Sequence, residues 1–125
     1  MANNTITFDP AAGVAYGVNL NINKGADFRS TFQVKNNDTS NFDFTGYTGE
    51  AKMKRSNNVG SSVAIAATFT VGFTSAAAGQ FNISLTDTVT NQLTPGRYYY
   101  NMNVSIGSST YRIIEGNALV VGGAF

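Results

Sequence analysis

Between residues 27 and 35, Phe28, Phe32 and Val34 fall on one parity, and Arg29, Thr31, Gln33 and Lys35 fall on the other. A period of two marks a half-buried β-strand, whose successive side chains point to opposite faces. The pattern returns at 48–55, where Ala51 and Met53 alternate with Glu50, Lys52 and Lys54. It returns again at 98–106, where Tyr98, Tyr100, Met102, Val104 and Ile106 alternate with Asn101, Asn103 and Ser105. Further strands are predicted at 6–8, 18–22, 65–73, 80–86 and 110–121. In the last of these, the Ile113-Ile114 doublet and Gly116 predict a bulge or a change of face.

Turn signals separate the runs at short intervals: Asn23-Lys24-Gly25, Asn36-Asn37-Asp38, Asn57-Asn58, Ala78-Gly79, Thr94-Pro95-Gly96 and Gly107-Ser108-Ser109. Many short strands so spaced predict an all-β chain, a single antiparallel sandwich. Only 87–93 invites a helical turn, capped by Asp87 and placing Val89 and Leu93 on one side. The expected organisation is an N-terminal strand and extended arm at 1–17, a sandwich at 18–121, and a flexible apolar tail at 122–125.

Composition narrows the chemistry. Only 12% of the 125 residues are charged and the net charge is +1, where a globular domain ordinarily carries about a quarter charged residues. Asn, Thr and Ser fill 39 positions instead. The 42% hydrophobic content, with nine Phe and six Tyr, suffices for one folded domain. With no His and no Cys, zinc sites, Ser-His or Cys-His nucleophiles, haem and iron-sulfur ligation, and disulfides are excluded. The near-neutral balance argues against nucleic-acid binding, which draws on a surplus of Lys and Arg. No apolar run approaches the length of a membrane span, and Met1-Ala2-Asn3-Asn4-Thr5 has neither the basic nor the apolar region of an export signal. No cofactor is expected.

The seven acids, Asp9, Asp27, Asp38, Asp43, Asp87, Glu50 and Glu115, stand singly. Their spacing proposes no glycosidase-like pair, so solvated or turn-forming roles are expected. Asn36-Asn37-Asp38 with Asp43 has the oxygen donors of a Ca²⁺ ligand set, but Asx residues are equally what turns demand. Lys52, Lys54 and Arg55 form the one basic cluster, and charge on a sheet face discourages edge pairing. Asn3, Asn37, Asn82 and Asn103 open Asn-x-Ser/Thr triplets, expected by chance in so polar a chain. In Tyr98-Tyr99-Tyr100 the outer two rings are expected to face the core and Tyr99 to face outward, where it can stack on a sugar or pack an interface.

The order of segments then resembles a known family. Lys24-Gly25-Ala26-Asp27-Phe28 enters one strand, and Phe42-Asp43-Phe44-Thr45-Gly46-Tyr47-Thr48 leads to Ala51-Lys52-Met53-Lys54. Ala78-Gly79-Gln80-Phe81-Asn82-Ile83-Ser84-Leu85, Thr94-Pro95-Gly96-Arg97-Tyr98-Tyr99-Tyr100-Asn101-Met102 and Arg112-Ile113-Ile114-Glu115-Gly116 follow. Over about 22–121 this set is similar to the immunoglobulin-like domains of tailed-phage virion proteins, such as the N-terminal domain of baseplate upper proteins. Those proteins continue into a linker and a binding region, whereas this sequence stops at Phe125.

The resemblance implies an immunoglobulin-like sandwich in a non-enzymatic bacteriophage virion protein: a tail, baseplate or fibre-attachment adaptor, or a capsid decoration subunit. It implies a location in the virion after synthesis in the host cytoplasm, self-association into a homo-oligomer, and contacts with other virion structural proteins. Nucleic acid and membrane are not expected as partners. Contacts between subunits are expected at the two ends of the chain and the exposed ring: Ile6, Phe8, Pro10, Val14, Tyr16, Tyr99 and Phe125. The competing expectation is a carbohydrate-binding module or adhesin that binds glycans through Tyr99 or Tyr111. Pairing of Glu115 with Arg97 or Arg112 across strands is also expected.

Overall fold

The computed structural model describes residues 4–8, 15–36, 38, 40–55 and 65–122. Strand accounts for 65% of them, with one short helix, so the chain is all-β. The elements are β1 (Asn4–Thr7), β2 (Tyr16–Gly17), β3 (Leu20–Asn23), β4 (Phe28–Lys35), β5 (Thr48–Lys54), β6 (Ile65–Ser75), β7 (Gln80–Leu85), α1 (Asp87–Asn91), β8 (Gly96–Ile106) and β9 (Ser109–Val121). They form one ladder in the order β1-β4-β7-β6-β5-β8-β9-β2, and β3 continues β2 along β9.

The long strand β6 joins the two parts of this ladder, which is nearly barrel-shaped. Its first half, from Ile65 to Phe69, pairs with β5, and its second half, from Thr70 to Ser75, pairs with β7. The ladder also curls until its far parts meet: the Phe8 ring lies 6.2 Å from that of Tyr111 on β9, and Phe28 on β4 lies 6.1 Å from Phe69 on β6.

The central pairs are antiparallel, as the alternation predicts. Both ends of the ladder depart from it, because β1 runs parallel to β4, and β2 and β3 run parallel to β9. The expectation of a purely antiparallel sheet is therefore corrected. The physical reason is that one N-terminal segment serves two edges in turn, and running onward past each, it lies beside a strand of its own direction. Asn4–Thr7 and Tyr16–Gly17 are accordingly strands of the sheet.

Period-two burial supplies the core. Phe32, Val34, Ala51, Met53, Phe81, Ile83, Met102 and Val104 are fully buried. Phe42, Phe44, Tyr47, Phe73 and Phe81 make a continuous aromatic cluster, with Phe42 and Phe44 centroids 4.7 Å apart and Phe44 edge-on to both Tyr47 and Phe81. Truncating one such ring costs about 3–5 kcal/mol. The turn that delivers Phe44 and Tyr47 is closed by Asp43, whose Oδ1 accepts from the Thr45 N–H and hydroxyl at 2.9 and 2.6 Å. Gly79 has φ +77°, and a Cβ there would stand 2.5 Å from the Phe42 carbonyl and 2.6 Å from that of Val34. Only glycine fits under this crossing of loop and strand.

Two local expectations are sharpened. On β9 the register slips between Met102 and Asn103, whose partners are Ile114 and Arg112, so Ile113 is the bulged residue and both isoleucines are buried. At α1 the cap is Thr86, not Asp87: its hydroxyl accepts from Val89 N, and Asp87 lies in the first turn. At the start of β8 the buried Tyr98 hydroxyl donates to the Thr94 carbonyl four residues upstream, at 2.8 Å. The Arg55 guanidinium covers that ring, 4.8 Å from its centroid.

Candidate assembly surface

On the outer face of β5, β8, β9 and β3, the side chains that alternate with the core lie in rows. One row runs Lys54, Tyr99, Asn117, a second Lys52, Asn101, Glu115, and a third Arg97, Leu119, Asn21. Each row thus begins on a basic residue, and Tyr99, Asn101 and Leu119 stand at the centres. Lys52 pairs with Glu50 at 3.2 Å and Arg112 with Glu115 at 3.3 Å. Both pairs are exposed, where such contacts contribute about 0–1 kcal/mol. Glu115 thus pairs with Arg112, one of its two expected partners, but within β9 rather than across strands, which corrects the expected geometry. Leu119 and Val121 are close to half exposed on the same face, a signal available in the sequence as the odd parity of β9 after its bulge.

The N-terminal segment borders this face through a polar latch. Val18 N–H donates to the Glu115 carbonyl at 2.9 Å. The next rung is exchanged: the Tyr100 hydroxyl donates to the Val18 carbonyl at 2.6 Å, and the Asn117 N–H instead donates to Asn19 Oδ1 at 3.1 Å. Gly116 makes the approach possible, since a Cβ there would stand 2.2 Å from the Val18 oxygen. Burial holds the Tyr100 hydroxyl well above the usual phenol range.

A second polar cluster joins the turn after β3 to α1. Thr90, fully buried, accepts from Gly25 N–H at 3.1 Å and donates to the Ala26 carbonyl at 2.9 Å. Asp27 Oδ1 accepts from Asp87 N–H at 2.8 Å. The Lys24 ammonium donates to the Leu93 carbonyl at 3.0 Å and to that of Asn91, where cations favour the end of a helix. Of these, Lys24, Gly25, Ala26, Asp87 and Asn91 line a groove of about 700 Å³ that also includes Asn23, Gln92 and Val121. Sequence reading missed this cluster, because its residues are 60 or more positions apart.

The residues proposed from sequence as contacts divide. Ile6 and Phe8 are 1% exposed and lie in the chain's own core. β1 is in register with β4, which turns both side chains inward, so neither is offered at the surface of the single chain. Tyr16 is 43% exposed at the β2 edge. Tyr99 is half-buried on the outer face between Tyr98 and Tyr100, which are buried as expected. Tyr111 is half-buried against Phe8. Pro10, Val14 and Phe125 lie outside the described residues.

Asp38 and Asp43 act as turn acids. Each accepts both N–H and hydroxyl from the residue two positions on, Ser40 and Thr45, and these bonds hold both carboxyls below the usual range. Among the described residues no three acids gather as a metal site would require. No helix among them is long and apolar enough to cross a membrane.

These elements define a mixed, nearly barrel-shaped β-module with parallel edge strands. Its sequence matches no protein-family model and no curated protein. Among solved structures, the N-terminal domain of phage TP901-1 ORF48 has the same fold: 96% of this chain aligns with 98% of that one at a TM-score of 0.54 and 11% identity. A family 123 glycoside hydrolase from Clostridium perfringens aligns over 86% of this chain and 23% of its own, at a TM-score of 0.39 and 9% identity, which is too remote to bear on the fold.

Proposed function

We propose that this chain is a non-enzymatic structural subunit of a bacteriophage virion, acting through contacts with copies of itself and with other particle proteins in a baseplate, tail or fibre-attachment position, or as capsid decoration. The observation that carries the reading is the end-to-end correspondence with a phage protein domain. It is joined to the ordered turn-and-strand motifs that resemble baseplate upper proteins. Low charge supports the same reading: surfaces of amides and hydroxyls suit repeated hydrogen-bonded contacts better than dispersal by charge repulsion.

The finer assignment, an immunoglobulin-like sandwich, is supported by two features. Immunoglobulin domains set strands A, B, E and D in one sheet and C, F and G in the other. With β1 as A, β4 as B, β7 as E and β6 as D, then β5 as C, β8 as F and β9 as G, the ladder order follows that plan. The Tyr98 bond to Thr94 at the start of β8 has the form of the corner that such domains carry at the start of strand F. Tyr100, two positions on, stands where antibody domains place a cysteine.

The experiment is infection with phage in which the chain carries an affinity tag, followed by density-gradient purification and quantitative mass spectrometry. The chain should band with infectious particles at a fixed copy number. Its absence from washed particles would refute the virion reading. Reproducible glycan-array binding that is lost in Tyr99→Ala would support the adhesin reading instead.

A further inference from the structure

The hydrogen bonds that hold the N-terminal segment also determine which of its backbone groups are free. Val18 and Lys24 donate to β9 carbonyls, so in this parallel pair the even-numbered residues face β9. The N–H and C=O groups of Gly17, Asn19 and Asn21 then point away from it. Among the described residues no strand pairs on that side. β2 and β3 keep the same register to β9, from Tyr16↔Ile114 through Asn23↔Val121, with Val18 and Asn19 joining the two strands.

Natural sheets blunt such edges with Lys, Pro or shortness. Residues 16–23, Tyr-Gly-Val-Asn-Leu-Asn-Ile-Asn, contain no charge and no proline. The opposite edge, β1, spans only Asn4–Thr7. From these observations we propose that the 16–23 edge is a self-association site, at which a second copy of this chain adds its own 16–23 edge antiparallel across a two-fold axis centred on Asn19.

The geometry favours a second copy over an unrelated strand. The free groups at 17, 19 and 21 are symmetric about 19, so an antiparallel copy sets Gly17 against Asn21, Asn19 against Asn19, and Asn21 against Gly17, using all of them. On the two-fold axis Asn19 meets its own copy, and a charged residue there would face like charge. This edge has none. The Asn19 side chain is turned back onto Asn117 N–H, which clears the axis. The pairing extends the Leu20 and Ile22 face and the Asn21 and Asn23 face across both copies, the strand-addition mode of recognition.

The test uses the full-length chain, which has no cysteine of its own. In the proposed pair, residues 17 and 21 of opposite copies are hydrogen-bonded neighbours with Cα atoms about 5.5 Å apart, within disulfide range. A Cβ at Gly17 meets nothing within 4 Å. The Gly17→Cys/Asn21→Cys double variant should oxidise to a covalent dimer linked 17 to 21. Its yield should exceed by at least tenfold that of a Thr68→Cys/Thr70→Cys control on β6. Asn21→Pro, which removes an outward N–H and leaves the bonds to β9, should lose self-association in sedimentation equilibrium. A yield equal to the control, or linkage of 17 to 17, would overturn the proposal, and so would self-association undiminished in a folded Asn21→Pro. The readout needs no particle, so its failure is separable from failure of the virion reading.

Discussion

The N-terminal segment meets the sheet twice as a parallel edge strand, and the two attachments differ in chemistry. β1 is held against β4 by apolar burial: Ile6 and Phe8 are enclosed, and the Phe8 ring contacts Phe42 and Tyr111 at 5.6 and 6.2 Å between centroids. Residues 16–23 keep Leu20 and Ile22 in the core, but their place on β9 is fixed by the Tyr100 hydroxyl, the Asn19 amide and the space above Gly116. Apolar contact rewards any arrangement that removes area from water, whereas a hydroxyl reaching one carbonyl selects a register. The second attachment is thus built for position as much as for stability, which is what an edge meant to present its outer groups in a defined frame requires.

Breaking the apolar attachment should have the largest effect. Phe8→Ala removes a fully enclosed ring and is expected to cost about 3–5 kcal/mol in denaturant unfolding. Gly116→Val drives a side chain into the Val18 carbonyl and should cost about 1–3 kcal/mol, with exchange protection lost first at 16–19. Tyr100→Phe leaves the Val18 carbonyl without its donor and should cost about 1–3 kcal/mol.

That last variant also sharpens the comparison through pH. The native phenol is held above its ordinary range while the unfolded one ionises near 10. The stabilising contribution is full below about pH 10 and falls as pH rises beyond it. Wild type should lose stability more steeply than Tyr100→Phe between pH 10 and 11, measured by urea unfolding. Smallest of the set, Asn19→Ala should cost about 1 kcal/mol by freeing Asn117 N–H.

The strands with alternating polarity were legible because each residue's face follows from its own parity. Tyr98 and Tyr100 turned inward, the bulge at Ile113, and the turn acids Asp38 and Asp43 were readable for the same local reason. The parallel edges were not, since direction depends on a partner some 28 or 98 positions away. The burial of Ile6 and Phe8 was not legible, because a four-residue strand carries too little pattern to show that its own chain covers it. The two-residue β2 lies below what periodicity can detect. The outward parity of Asn101 and Asn103 was legible, but the latch was not. A tyrosine reaching Val18, 82 positions away, looks in sequence like any other core ring.

Hydrogen-deuterium exchange of wild type and Tyr100→Phe tests the division between the two attachments most directly. Protection should fall in the amides of 16–23 that face β9 and should stay unchanged in those of 4–8 that face β4. Equal loss at both edges, or no loss at 16–23, would contradict the claim that a polar latch, separate from the apolar attachment of β1, holds the second edge in place.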